Sequence, residues 1–207
     1  MIIMLEELEE MENKLYKLNE ALWDHIPFEC TKCGKCCHGV RFINLTIPEI
    51  IRISKRLGLT PKKFVKKYCI IDGYYIYLKR KEGKSGITCV FQENNLCKIH
   101  DVKPFQCRFY PFYSTRQVIY DTIIPKLFDV RMIRPIIRVR DFDILFGDLL
   151  IFLIREPECE LSKNIWLNIN DLLPRIRPIL MKIALLRERL LFNMYKNIAY
   201  LMTEILR

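Results

Sequence analysis

Apolar residues near the start of the chain fall at helical spacing. Leu8, Met11, Leu15, Leu18 and Leu22 alternate steps of three and four, which predicts an amphipathic packing helix over residues 5–22. Glu6, Glu7, Glu9, Glu10 and Glu12 crowd its beginning, where the partial positive charge of a helix N-terminus favours carboxylates. Further on, Ile50, Ile53 and Leu57 follow Pro48-Glu49 and stop at Gly58, predicting a second helix; Thr60-Pro61 then offers the N-cap and first-turn proline of a third. The period changes at Tyr74, Ile76 and Leu78, which alternate with Tyr75, Tyr77 and Lys79. This predicts a strand that returns through Gly83 and Gly86 to a strand bearing Cys89. Gln92-Glu93-Asn94-Asn95 reads as the turn of a hairpin, and residues 117–123 and 136–140 also suit strands. From Leu172 the helical spacing resumes through Ile176, Ile179, Ile183, Leu186, Leu190, Met194, Ile198, Leu201 and Ile205, with Pro174 and Pro178 marking the entry. The expected class is α+β, mostly helical, with a small irregular cysteine-rich centre that includes short hairpin strands.

Composition narrows this picture without redirecting it. A chain of 207 residues, 51% of them hydrophobic, can bury a sizeable core, so disorder is excluded. The most apolar run, from Ile144 to Ile154, is short and contains Asp148, so no membrane span is expected. Met1-Ile2-Ile3-Met4-Leu5 leads into glutamates instead of following a basic segment, which argues against a signal peptide and for a cytoplasmic location. The net charge of +10 concentrates at Lys62, Lys63, Lys66 and Lys67, at Lys79-Arg80-Lys81, and from Arg131 onward. These runs are short and interrupted by apolar residues, and no nucleic-acid-binding motif accompanies them, so a solvated lysine face is the favoured reading. The acidic N-terminal helix and the basic C-terminal one, with Lys182, Arg187, Arg189 and Lys196, each carry an apolar stripe. They are expected to pack against each other or across a homodimer.

The candidate chemistry lies in the cysteines. Between Cys30 and Cys37 the chain reads C-T-K-C-G-K-C-C, four thiols in eight residues. At that density, in a chain without signs of export, thiolates are metal ligands more often than disulfide partners. Two cysteines separated by two residues can turn both sulfurs toward one metal, and Cys30, Cys33 and Cys36 repeat that step twice; Gly34 supplies the permissive backbone. Cys37 comes immediately afterwards. If the backbone there is extended, adjacent side chains diverge, so Cys36 and Cys37 would serve two sites or a site and its surroundings. Cys89, Cys97, Cys107 and Cys159 complete eight candidate ligands, enough for two four-thiolate sites or for one site with spare thiols. Cys69, between Tyr68 and Ile70-Ile71, is expected to pack as a small apolar residue. For His100, ligation and a hydrogen bond to a metal-bound sulfur are both open, His38 reads as a bystander, and Arg108 as either a shield for thiolate charge or an ordinary surface arginine.

Phe28, Cys30, Cys33, Gly34, Cys36 and Cys37, followed by Cys89, Cys97, His100, Pro104, Cys107, Arg108, Pro111 and Phe112, resemble the motifs of the CxxCxxCC family. That family is described as zinc- or iron-chelating, and its members are often called Fe-S-cluster-containing proteins. The resemblance covers roughly Phe28 to Cys159. It implies a later cysteine, similar in place to Cys159, although Glu160-Leu161-Ser162 stands here where glycines are usual. One branch of the family is similar to flagellin lysine N-methylases.

The expected organisation is an amphipathic helix over 1–27, a cysteine-rich metal-binding domain over 28–160 and a helical extension over 161–207. Three functions are consistent with it. The leading one is an iron-sulfur cluster with a redox or enzyme-associated role and an unidentified redox or protein partner. The second is a structural zinc module. The third, a protein lysine N-methylase, lacks a visible Gly-rich strand-to-helix turn for a methyl donor. No catalytic residue can be assigned.

Overall fold

Helix α1 spans Ile2–Trp23. It begins three residues earlier than the apolar spacing predicts, so its first turn contains no acid and the glutamates lie further along it. Its buried stripe also differs from expectation. Leu8, Leu15 and Leu22 are buried as the spacing requires, but Glu12 and Asn19 join them, while Met11 and Leu18 stay half-buried. The structure is a computed structural model and describes residues 2–26, 33–38, 43–73, 75–83, 86–116, 144–146, 149–153, 159–196 and 203. The strands expected over 117–123 and 136–140 lie outside the described residues, as do Phe28 and Cys30. Among the described residues no helix is long and apolar enough to cross a membrane.

The chain forms two compact units. The first comprises residues 1–17, 32–108 and 186–207, the second residues 18–31 and 109–185. In the first, α2 (Ile47–Arg56) begins one residue before the expected Pro48-Glu49 opening, and α3 (Pro61–Tyr68) begins where its cap predicts. The Thr46 hydroxyl accepts from the Glu49 amide at 3.3 Å, and the Glu49 carboxylate accepts from the Thr46 amide at 2.8 Å, which is a complete capping box. Thr60 caps α3 in the same way, accepting from the Lys63 amide. Gly58, with φ +65°, ends α2 in the left-handed conformation that favours glycine. The α2 stripe of Ile47, Ile50 and Ile53 is fully buried, and Phe64 of α3 stacks on Phe91 at 6.3 Å with the rings 4° from parallel.

Four short strands follow. β1 (Cys69–Asp72) pairs antiparallel with β2 (Tyr75–Leu78), and β3 (Arg80–Gly83) with β4 (Gly86–Cys89). The turn through Gly83 and Gly86 into the Cys89 strand is as predicted, but the strand over 75–78 returns to β1 and not to β4. Its other edge carries residues 43–45, where the Leu45 amide donates to Ile76 O at 2.8 Å and the Leu78 amide to Ile43 O at 3.0 Å. β5 (Gln92–Glu93) and β6 (Leu96–Cys97) form the expected tight hairpin. Asn94 and Asn95, with φ 48° and 63°, make its turn, because asparagine tolerates positive φ better than most residues. α4 (Phe105–Phe109) carries Cys107. The Asn193 side chain reaches the Met11 sulfur at 3.7 Å, so the two chain ends are in contact within this unit.

In the second unit β7 (Phe112–Arg116), β8 (Ile144–Phe146) and β9 (Leu149–Leu153) form a three-stranded antiparallel sheet with β9 in the middle. Phe112 packs within it against Trp23 and Phe109, at 6.4 and 5.7 Å. Helix α5 (Glu160–Leu167), absent from the sequence reading, leads into the long α6 (Ile169–Lys196). Pro174 and Pro178 lie inside α6 and do not mark its entry. A proline within a helix costs about 3 kcal/mol, but Ile169, Leu172, Ile176, Leu180 and Ile183 are buried along one stripe, and that burial more than offsets the missing hydrogen bonds. The observed class is α+β, as expected.

Candidate metal centre

The first cysteine block is shaped by Gly34. With φ +75° it turns the chain back on itself, so that the Cys37 amide donates to Gly34 O at 2.9 Å and residues Lys35–Cys37 wind into a 3-10 turn. A Cβ at Gly34 would stand 2.9 Å from Asn95 O, so the cysteine turn rests directly on the β5–β6 turn. The extended backbone on which Cys36 and Cys37 were expected to diverge is therefore absent. Their sulfurs lie 4.0 Å apart, with Cys37 buried and Cys36 half-buried. Sulfurs sharing a tetrahedral metal at roughly 2.3 Å would be roughly 3.8 Å apart, so this pair is near the spacing of shared ligands.

Three other segments bring thiols to the same place. Cys89 ends β4 and is buried; Cys97 ends β6, opposite Gln92, and is half-buried; Cys107 is the third residue of α4. Their electrostatics identify the neighbours. Hydrogen bonding to Cys36 and then Cys97, with burial, pushes the Cys37 thiol far up. The same Cys37 contact stabilises the Cys97 thiolate and, with a bond from the Ile99 amide, lowers it to about 7. Burial raises Cys89 and raises Cys107 further, with Cys36 and Cys97 repelling the thiolate form of each. Cys36, Cys37, Cys89, Cys97 and Cys107 thus act on one another electrostatically inside the first unit. Among the described residues, no three cysteine, histidine, aspartate or glutamate side chains already stand as a metal-holding group.

The remaining predicted thiols are placed differently. Cys33 opens the turn and is half-buried. Cys30 is outside the described residues. Cys159 is buried at the start of α5 and belongs to the second unit. Cys69 is buried in β1 and its thiol is pushed up to about 12 by burial, consistent with packing as a small apolar side chain.

Polar neighbours fix the thiol-bearing segments. Cys37 O accepts from Thr88 Oγ1 at 3.1 Å and from Arg80 Nη1 at 3.2 Å, tying the cysteine turn to β3 and β4. His38, read as a bystander, pairs as a bridge with Thr88, and its Nε2 lies 3.3 Å from Gln92 Nε2. His100 is exposed, with its Nε2 3.4 Å from Lys103 Nζ. Arg108 makes its described hydrogen bonds to backbone oxygens. Its guanidinium donates to Lys103 O at 3.2 Å and Asp101 O at 2.6 Å and lies over the Tyr16 ring. Lys103 favours the charged form of Cys97, and Arg80 favours that of Cys89. The sequence reading missed Arg80 because Lys79-Arg80-Lys81 looks like one solvated charge run; only the alternation of a strand, which turns Arg80 opposite Cys89, could have separated it.

The donor set suits a thiophilic metal. Buried and half-buried thiols gathered this way repel one another once ionised, and a bound cation relieves that repulsion; soft thiolates select zinc or iron-sulfur clusters. Comparison with known proteins agrees. Residues 29–125 match the model of the CxxCxxCC family, described as "Putative zinc- or iron-chelating domain". An uncharacterized protein of Methanocaldococcus jannaschii is 31% identical over 105 residues, 49% of this chain and 53% of that protein. The chain therefore spans about half the length of the curated relative it matches. No solved structure matches. The cysteine turn, the Cys89 and Cys97 strands and the Cys107 helix all lie within residues 29–125, the part of the chain that is similar to the CxxCxxCC family model.

Proposed function

We propose that the chain carries an iron-sulfur cluster held between its two cysteine blocks, with a redox or enzyme-associated role in the cytoplasm. Cys36, Cys37, Cys89, Cys97 and Cys107 are the central candidates for ligation, with Cys30 and Cys33 completing the ferredoxin-like spacing and Cys159 as a further candidate. The observation that carries the reading is the meeting of five thiols from four separate segments in one electrostatic site. That number exceeds what one closed four-thiolate zinc site needs. Bound there, a cluster would supply one-electron chemistry, and the protein would tune it through burial and hydrogen bonds to the sulfurs.

The zinc module is the competing outcome. Strictly anaerobic purification followed by an absorption spectrum and metal analysis separates the two. A brown protein with iron and acid-labile sulfide is the expected result. A colourless protein with full zinc occupancy and no iron would replace the cluster with a structural zinc site.

A further inference from the structure

The capping box of α2 accounts for only one oxygen of Glu49. Oε2 accepts from the Thr46 amide at 2.8 Å, while Oε1 accepts from the Phe105 amide at 2.6 Å. Phe105 is the first residue of α4, two before Cys107, and its amide is one of the donors that a short helix leaves without an internal partner. Glu49 is fully buried, so both bonds form in a low-dielectric setting where a charged acceptor binds strongly. A second tether sits one residue on, where Gln106 Oε1 accepts from the Asn44 amide at 3.1 Å. The Phe105 ring is buried, edge-on to Tyr16 at 6.1 Å and beneath Arg187 at 5.3 Å. With Phe105 and Gln106 held at these points, the rotation of α4 about its axis is fixed, and so is the direction of Cys107.

We propose that Glu49 is a positioning residue for the metal site, aiming the Cys107 thiolate by holding the first amide of its helix. The inference rests on the reading of Cys107 as a metal ligand. Behind Glu49 stands a second layer. Thr46 Oγ1 donates to Glu12 Oε1 at 3.1 Å, and Arg52 pairs with the other oxygen of Glu12 and with the Tyr16 hydroxyl. Within this layer the Tyr16 ring also meets Phe105 and Arg108 of α4. Thr46 shares the cap but makes no described hydrogen bond to α4, which makes it the natural control.

The test is an anaerobic titration of the metal-depleted full chain with cobalt(II), whose thiolate charge-transfer absorption reports the sulfurs bound. Wild type, Glu49→Gln, Glu49→Asp, Thr46→Val and Cys107→Ser are compared, with circular dichroism recording folding. Glu49→Gln replaces one acceptor oxygen by a donor, and Glu49→Asp keeps the charge but shortens the reach. Both are expected to bind cobalt at least about tenfold more weakly and to show the reduced thiolate absorption of Cys107→Ser. Thr46→Val should lose stability yet keep the wild-type affinity and spectrum. Folded Glu49 variants with wild-type affinity and absorption would overturn the proposal. So would failure of both to fold while Thr46→Val folds, since Glu49 would then hold the whole unit and not one ligand. A wild type without thiolate absorption would instead sink the metal-site reading, and this inference with it.

Discussion

Glu12 and Glu49 bring two buried carboxylates to one residue: Thr46 donates its hydroxyl to Glu12 and its amide to Glu49, and one guanidinium, Arg52, pairs with Glu12. Burial, followed by repulsion from Glu49, raises the Glu12 carboxyl from 4.5 to about 7, and Arg52 only partly opposes this. The sign follows directly. A raised acid pKa means that the folded protein binds a proton the unfolded chain has already released, so the stabilisation is complete below about 4.5 and is lost as pH rises through about 7. At about 1.4 kcal/mol per unit, the whole interval corresponds to about 3 kcal/mol. Glu12→Gln keeps the shape and removes the titration. Urea unfolding of both proteins from pH 4.5 to 8, at matched metal content, gives a difference curve in which thiol titrations cancel. The variant should gain on the wild type by about 3 kcal/mol across that range, most steeply between pH 5 and 7. A flat difference curve, or a wild type that gains on the variant with rising pH, would refute the account of Glu12 as a buried carboxyl that keeps its proton.

Other perturbations probe the metal-site scaffold. Gly34→Ala imposes a side chain on a positive-φ residue and drives its Cβ to 2.9 Å from Asn95 O; thermal melting should show a loss of about 2 kcal/mol or more, together with weaker metal binding. Cys107→Ser should lower metal content and melting temperature together, whereas Cys69→Ser should cost about 1–2 kcal/mol of stability and leave metal content unchanged. Metal loss from the Cys69 variant would overturn its assignment as a packing residue. Deleting residues 1–22 removes the buried Leu8, Glu12 and Leu15 and leaves Arg52 without Glu12; size-exclusion chromatography should show aggregation or an altered oligomeric state. Unchanged, equally soluble protein would show that the N-terminal helix contributes little.

The parts of this fold that could be read from sequence are those with local causes. The starts of α2 and α3 follow from Pro48-Glu49 and from Thr60-Pro61 within single turns, and the β5–β6 hairpin from a polar turn whose asparagines accept positive φ. Other features depend on partners distant in sequence. The β1–β2 pairing was missed because Ile70 and Ile71, apolar as a core strand would be, are exposed, and because the alternation over 74–79 is equally compatible with either neighbour. Glu12 and Asn19 on a buried helix stripe contradict the simple period; for Glu12 the reason lies in Thr46 and Arg52, more than thirty residues away. The number of candidate thiols was legible, but their grouping was left open, and the direction of Cys37 was hidden because it depends on a 3-10 turn set by the positive φ of Gly34. The double use of Glu49 was not legible: Pro48-Glu49 announces only the start of a helix, and nothing local announces Phe105.

The central claim is that thiols of both cysteine blocks hold one metal centre. X-ray absorption at the metal edge of the anaerobically purified full chain tests it most directly, with Cys37→Ser and Cys97→Ser measured alongside. The account predicts an all-sulfur shell at about 2.3 Å, iron as the absorbing metal with a neighbouring iron, and loss of sulfur neighbours or of metal in both variants. A shell built mainly from nitrogen and oxygen, or metal retained with an unchanged sulfur shell in both variants, would contradict it.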